Sequence, residues 1–212
     1  MRCISILVIL ILSAPVFAQR PVWSNAVCGV CNPAGGCGTG TVIHQDGKQW
    51  AYVVTNQHVV GSHSTAAIEW SNGYTQSGKV IYRHRAADLA VVALRVRAKL
   101  VVLPIANSDQ MPEPDSVVQL AGYGTKRKFT VWSATYKGTE ELRGGTHQVK
   151  VDTEAESGDS GGPIIYKNRL IGVLWGGSGY VKRGGFQIME TRGCIGSFLF
   201  KAFPAFDCAG PL

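Results

Sequence analysis

The sequence predicts an all-β fold, on two observations. Beyond residue 18, the 212-residue chain consists of short apolar runs of strand length separated by Gly, Asn-Gly and Asp-Gly, which are typical of hairpin turns. Helical periodicity is almost absent, and the one predicted helix is short and terminal, at 195–203. The predicted strands are 40–43, 51–55, 65–70, 79–82, 89–94, 117–121, 130–136, 148–151, 163–166, 170–175 and 186–189.

The first 18 residues have the pattern of a secretory signal peptide. A basic start at Arg2 is followed by an apolar run and by small residues that end at Ala18, where we expect cleavage. The apolar run is too short to span a bilayer, and no later segment reaches the roughly 20 apolar residues of a membrane helix. We therefore expect a secreted or periplasmic protein with no membrane contact after cleavage.

The charge of the chain does not indicate a nucleic-acid partner. The formal net charge is +7, but the basic residues are scattered in small groups such as Arg95, Arg97 and Lys99. Nucleic-acid binding needs a concentrated basic stripe or a recognition motif, and the sequence has neither. These residues are interpreted as solvated strand faces and loops.

Six cysteines are present, and five of them follow residue 18: Cys28, Cys31, Cys37, Cys194 and Cys208. Export favours disulfides, and an odd number leaves one free thiol or an intermolecular bond, with the pairing open. Cys28 and Cys31 could instead form a redox pair or part of a zinc site. A redox pair needs a helix start after it, whereas residues 32–36 are typical of a loop.

Three residues are candidates for nucleophilic catalysis. Ser160 lies between glycines in a turn, and a serine hydroxyl needs a base and an orienting carboxylate to act as a nucleophile. His58 follows an apolar strand, and Asp88 opens the apolar run 88–94.

The order His58, Asp88, Ser160 excludes one fold that shares this chemistry and argues against a second. The α/β-hydrolases place the histidine last, but the last histidine here is His147. Subtilisin-type enzymes place the aspartate first, and the only aspartate before His58 is Asp46, in a predicted hairpin turn.

At these motifs the chain resembles the trypsin/chymotrypsin-like serine peptidases, over roughly residues 38–190. The phrase Val53-Val54-Thr55-Asn56-Gln57-His58-Val59-Val60 and the short interval to Asp88 are more similar to the bacterial HtrA/Deg-type protease domain than to a digestive trypsin. The phrase Gly158-Asp159-Ser160-Gly161-Gly162-Pro163, by contrast, has the trypsin spelling.

The resemblance implies a chymotrypsin-like fold of two six-stranded antiparallel β-barrels with the active site between them. We expect a Cys/Gly-rich segment at 19–38 and a peptidase domain at 39–212, with the first barrel at about 39–110, the second at about 116–192 and a tail at 193–212. Pro112 and Pro114 mark the connection. The 194 residues left after cleavage are too few for this domain and a PDZ-like module.

The resemblance also implies a secreted serine endopeptidase that acts on polypeptides without cofactor or metal. Ser160 would attack the peptide carbonyl, His58 would transfer the proton, and Asp88 would orient the imidazole. Backbone N–H groups of Gly158 and Ser160 would form the oxyanion hole. The alternatives are a catalytically silent binding protein and an esterase, both on the same fold.

The substrate pocket is implied by position alone. Glu154 matches the base of the primary pocket in trypsin-like enzymes, and Gly176 and Gly185 match the small residues of its walls. A carboxylate there favours Arg or Lys. The alternatives are a Glu154 that points to solvent and the small aliphatic preference of HtrA-type enzymes.

Three departures from trypsins accompany the resemblance. Val59 and Val60 stand where trypsins have a disulfide cysteine, and Leu174 stands where they have a serine that supports the catalytic aspartate. No Ile-Val-Gly-Gly-like segment follows a basic cleavage site. We therefore expect either activity upon export or another partner for Asp159.

Overall fold

The computed structural model describes residues 20–47, 49–142, 146–183 and 186–195, and only the backbone of 141, 142, 146, 147, 176–183 and 186–195. The predicted signal peptide, the predicted terminal helix beyond residue 195, Gly185 and Cys208 lie outside these residues. Twelve strands dominate the described part of the chain. The all-β prediction is confirmed.

The first six strands form a closed antiparallel barrel in the order β1-β2-β3-β6-β5-β4, because β1 pairs with both β2 and β4. The sequence did not indicate β1, in which a glycine and two cysteines interrupt the apolar run. The first barrel thus extends upstream of the predicted boundary at residue 39. The bounds are β1 Val27–Cys31, β2 Cys37–Asp46, β3 Trp50–Thr55, β4 Thr65–Glu69, β5 Thr75–His84 and β6 Leu89–Arg95.

Strands β3 and β6 form the buried centre of this barrel. Their β-branched and apolar side chains face both the barrel interior and the neighbouring elements, so that five of the six residues of β3 are buried. Such continuous burial explains the unbroken apolar runs in the sequence. The pair holds its register from Trp50 opposite Arg95 to Thr55 opposite Ala90.

The second barrel has the order β10-β11-β12-β9-β8-β7, and it is closed by pairing of β10 with β7. Its long strands exceed the predicted ones. The bounds are β7 Val117–Gly122, β8 Thr130–Leu142, β9 Thr146–Asp152, β10 Pro163–Tyr166, β11 Arg169–Arg183 and β12 Phe186–Ile195.

Two hairpin turns contain residues with positive φ. Lys167 and Asn168 connect β10 to β11 with φ values of 46° and 60°, the left-handed geometry of a type I′ turn. Gly73, with φ of 83°, lies in the turn between β4 and β5. Gly73 and Asn168 are of residue types that tolerate positive φ, whereas Lys167 is not.

The connection between the barrels runs from β6 to β7 and contains one 3-10 turn, Ser108–Gln110. It is anchored to both barrels, because Leu103 N donates to Val42 O at 2.9 Å and Leu170 N donates to Pro104 O at 2.8 Å. No helix among the described residues is long and apolar enough to cross a membrane.

The cysteines resolve the pairing that the sequence left open for the N-terminal segment. Cys31 and Cys37 form a disulfide that joins the end of β1 to the start of β2. Cys28 is a buried free thiol, and burial raises its pKa. The Cys28–Cys31 redox pair is therefore not formed, and the described residues contain no cluster suited to a metal ion.

Candidate active site

His58 lies on a four-residue helix, α1 (Gln57–Val60), that follows the end of β3. The sequence predicted a turn at this position. Val59 and Val60 are buried and fix the helix against the first barrel, which turns the neighbouring His58 outward. The His58 side chain is 48% exposed, so that it can reach a substrate.

Asp88 contacts His58 through both carboxylate oxygens. Its Oδ2 lies 2.6 Å from His58 Nδ1, and its Oδ1 accepts a hydrogen bond from His58 N at 2.9 Å. Asp88 has a left-handed backbone with φ of 49°, which Asp tolerates better than most residues. Its carbonyl oxygen accepts further bonds from Asn56 Nδ2 at 2.9 Å and Gln57 N at 3.1 Å. The start of β6 and the helix of His58 are therefore locked together.

The turn that carries Ser160 is shaped by Gly158. Its φ is 97°, and a Cβ at this position would lie 2.4 Å from Gly124 O, so that any side chain would collide with backbone. Gly161 N donates to Leu174 O at 2.7 Å and anchors the turn to β11. The N–H groups of Gly158 and Ser160 have no partner among the described residues. They are available to a ligand.

The first barrel holds this turn directly. Thr39 N donates to Ser160 O at 2.7 Å, and Thr39 Oγ1 donates to Gly158 O at 2.8 Å. At the neighbouring Gly38, a Cβ would lie 2.6 Å from Val59 Cγ2 and 2.7 Å from Ser160 O. The start of β2 is thus packed between the helix of His58 and the turn of Ser160.

The structure therefore brings His58, Asp88 and Ser160 to one region where the two barrels meet. Ser160 Oγ has no hydrogen-bond partner among the described residues. Contacts between a nucleophile and its base are often long in proteins without bound substrate and tighten when substrate binds.

Asp159 is the buried acid of the site, with 4% of its surface exposed. Its Oδ1 accepts a hydrogen bond from Gly124 N and its Oδ2 one from Glu156 N, each at 2.9 Å. No cation pairs with it among the described residues. Desolvation raises the pKa of Asp159, and the two N–H bonds oppose that rise. Among the described residues, backbone N–H groups hold the Asp159 carboxylate, for which a cationic partner was one of the two alternatives left by the sequence.

The structure describes two of the three predicted pocket residues, Glu154 and Gly176. Glu154 is exposed to solvent, and its backbone oxygen lies 3.3 Å from Thr153 Oγ1. Gly176 lies in β11 opposite Arg192, and Gly185 is outside the described residues. Leu174 stands in place of the serine of trypsins. It is buried, and its hydrogen bonds are made by its backbone.

Sequence reasoning missed three residues that position the site. Thr39 donates a hydrogen bond to the turn that carries Ser160. Asn56 donates one to Asp88, and Gly124 donates one to Asp159. A weak signal exists for Asn56, which lies next to the histidine motif. Thr39 and Gly124 carry no local signal, because their partners are remote in sequence.

Comparison with known proteins assigns the chain to a family. A family model described as "Trypsin-like peptidase domain" matches residues 38–173, which include His58, Asp88 and Ser160. The chain belongs to the trypsin-like peptidase family. The predicted resemblance is confirmed, including its HtrA/Deg character.

Curated relatives of this peptidase domain include bacterial endoproteases. It is 31% identical over 174 residues to "Probable periplasmic serine endoprotease DegP-like" of Chlamydia trachomatis, covering 78% of this chain and 32% of that protein. It is 28% identical over 145 residues to "Periplasmic pH-dependent serine endoprotease DegQ" of Escherichia coli, covering 66% and 31% respectively. The chain thus spans about a third of the length of these relatives.

Solved structures show the same fold for this domain. The active form of the Rv3671c protease from M. tuberculosis superposes with a TM-score of 0.71 at 20% identity, covering 94% of this chain and 89% of that one. The serine endoprotease from Yersinia pestis gives 0.65 at 22% identity, covering 84% and 61%. At these identities the likeness concerns the fold alone.

Proposed function

We propose that the chain is an exported serine endopeptidase that hydrolyses polypeptides through His58, Asp88 and Ser160. The contact of 2.6 Å between His58 Nδ1 and Asp88 Oδ2 is the observation that carries this proposal. It supports a tautomer in which Nδ1–H donates to the carboxylate and Nε2 is left free to accept a proton.

The reaction begins with attack of Ser160 Oγ on the carbonyl carbon of the scissile bond, while His58 Nε2 takes the hydroxyl proton. The imidazolium that results is stabilised by Asp88. His58 then gives the proton to the leaving amine as the C–N bond breaks and an acyl-enzyme forms. A water molecule, deprotonated by the same nitrogen, attacks the ester and releases Ser160.

The N–H groups of Gly158 and Ser160 stabilise the tetrahedral oxyanion in this mechanism. Both are free of partners among the described residues, and the hydrogen bonds from Thr39 hold their turn. A donor fixed in advance costs no reorganisation during the reaction, and losing one costs roughly 3 kcal/mol of transition-state stabilisation.

Export is supported by the Cys31–Cys37 disulfide, since disulfides persist in oxidising compartments. The curated relatives above are named periplasmic. We infer a periplasmic or secreted location for this chain.

We propose only a small preference for Arg or Lys at the acyl side of the scissile bond. Glu154 supplies a carboxylate, but the side chain is exposed, and exposed charge pairs contribute about 1 kcal/mol or less. We therefore expect at most about a fivefold preference for Lys over Met, removed in Glu154→Gln and measured by a peptide-library digest.

The test of the catalytic proposal is labelling of the purified protein with a fluorophosphonate probe. We expect stoichiometric labelling that maps to Ser160, is lost in Ser160→Ala and His58→Ala, and persists in Ser133→Ala, an exposed serine on β8. Absence of labelling in a folded sample would instead indicate a catalytically silent protein. Labelling without cleavage of any polypeptide would indicate an esterase.

A further inference from the structure

A groove of about 290 Å³ opens beside the oxyanion turn. Half of its lining residues are glycines, so that a peptide backbone can approach its walls closely. The walls that matter here come from Gly35, Cys37 and Gly38 of the first barrel and from Gly124, Arg127 and Gly158 of the second.

The groove lies on the side of the catalytic histidine. Its first-barrel wall is tied to the helix of His58, because Asn32 Nδ2 donates to Val59 O at 2.8 Å and Gly38 packs against Val59. In the proposed mechanism His58 gives its proton to the leaving amine, so the leaving-group half of the substrate must pass within reach of it. Glu154, predicted for the acyl-side pocket, does not line the groove.

Arg127 is held at the rim of this groove by an unusual set of contacts. Its Nη1 lies 2.7 Å from Cys37 Sγ and 3.1 Å from Cys31 Sγ, and its Nη2 bonds the Glu69 carboxylate. The backbone of Arg127 has φ of 52°, which is unfavourable for a side chain of this size and is typical of functional segments. The disulfide and Glu69 thus fix the guanidinium.

The charge at this rim favours an anionic ligand. Among the described lining residues Arg127 is the only charged one, and Glu69 is not part of the lining. The side chains of this ion pair are 46% and 37% exposed, so solvent screens part of the charge of both partners. Glu69 lies behind the wall at Gly29, whereas Arg127 itself lines the groove and is the closer charge to a ligand there. Three of the five guanidinium N–H groups are used, which leaves two for a substrate carboxylate.

One further carboxylate, that of Glu156, lies close to the groove. Glu156 Oε2 accepts a hydrogen bond from Thr125 Oγ1 at 2.9 Å, and it also lies outside the lining. It therefore limits the anionic preference to ligands whose carboxylate sits at the Arg127 end of the groove.

We propose that Arg127 is a specificity-determining residue that selects polypeptides with Asp or Glu shortly after the scissile bond. This inference rests on the proposed peptidase function. The cystine Cys31–Cys37 positions the guanidinium, and Glu69 moderates its charge.

The experiment compares quenched peptides that differ only by Asp or Asn at one of the first three positions after the scissile bond. For the wild-type protein we expect kcat/KM to favour Asp by about 3- to 10-fold at one of these positions, as for a partly exposed charge contact. Arg127→Gln should reduce that ratio to about 1, whereas Glu69→Gln should raise it. Opposite shifts in the two variants distinguish charge selection from a general loss of packing.

Binding of the peptide segment that follows the scissile bond can be measured without catalysis. Peptides that correspond to this segment should bind to Ser160→Ala more tightly with Asp than with Asn, as measured by fluorescence anisotropy. Arg127→Gln should abolish that difference. An equal affinity for both peptides, or a ratio unchanged in Arg127→Gln, overturns the proposal. Asp-selective binding without any hydrolysis by the wild-type protein would contradict the peptidase proposal and leave the anionic site supported.

Discussion

The two aspartates of the site use the same chemical group in different ways. Asp88 belongs to the first barrel, its side chain is 18% exposed, and it contacts an ionisable ring and one backbone N–H. Asp159 belongs to the second barrel, is almost fully buried, and contacts two backbone N–H groups. One carboxylate orients a side chain, and the other orients backbone.

The difference follows from the task of each barrel. In the proposed mechanism His58 accepts and releases a proton, so Asp88 must contact the imidazole directly to orient it and to stabilise its charged form. An oxyanion site must stay fixed, so the turn around Asp159 is held by interior hydrogen bonds that do not change. In the described part of the chain, two backbone N–H groups hold the Asp159 carboxylate and no cation pairs with it.

Removing the charge of Asp88 should have the largest effect. Asp88→Asn retains an oxygen for the His58 N–H but can no longer fix the imidazole tautomer, and we expect kcat to fall about 10⁴-fold with little change in KM. Steady-state kinetics on a peptide substrate measure this effect. Asp109→Asn, on an exposed 3-10 turn, is the matched control; a loss below tenfold in Asp88→Asn would contradict the role of Asp88.

Removing the hydroxyl of Thr39, which holds the turn around Asp159, should lower kcat less than Asp88→Asn does. In Thr39→Val the bond to Gly158 O is lost, and Tyr123 N loses its acceptor. We expect kcat to fall about tenfold and the free energy of unfolding to fall by about 1–3 kcal/mol. Kinetics and urea denaturation measure the two quantities.

Thr41 supplies the control for this variant on the same strand. Its hydroxyl is buried and has no partner in the described part of the chain, so Thr41→Val removes an unsatisfied polar atom. Its stability should be unchanged or higher, and its kcat unchanged. Equal losses in both variants would show that Thr39 acts through general packing.

The sequence predicted the site residues and strands that depend on neighbouring residues in the chain. It missed those that depend on contacts formed when the barrels close. His58, Asp88 and Ser160 each lie in a recognisable phrase, whereas Thr39 reaches Gly158 across 119 positions. Strand β1 was missed because only pairing with β2 and β4 makes its Cys and Gly residues a strand. Strand β8 was predicted to end at residue 136, but it continues through an irregularity at Gly138, where φ is 107°.

Titration of Asp159 should give the smallest effect and the most direct view of the buried acid. Burial raises the folded-state pKa of Asp159 above the ordinary value of 3.8. The amide signals of Gly124 and Glu156 in ¹⁵N NMR spectra of Ser160→Ala should therefore shift together with a midpoint above 3.8. In Asp159→Asn the part of both shifts that comes from Asp159 should be lost. A carboxyl with a raised folded-state pKa binds its proton more tightly in the folded protein, so its contribution to the free energy of unfolding falls as pH rises through that pKa. A midpoint at or below 3.8 would mean that the two N–H bonds outweigh desolvation, and that Asp159 stabilises the turn as an anion at no net electrostatic cost.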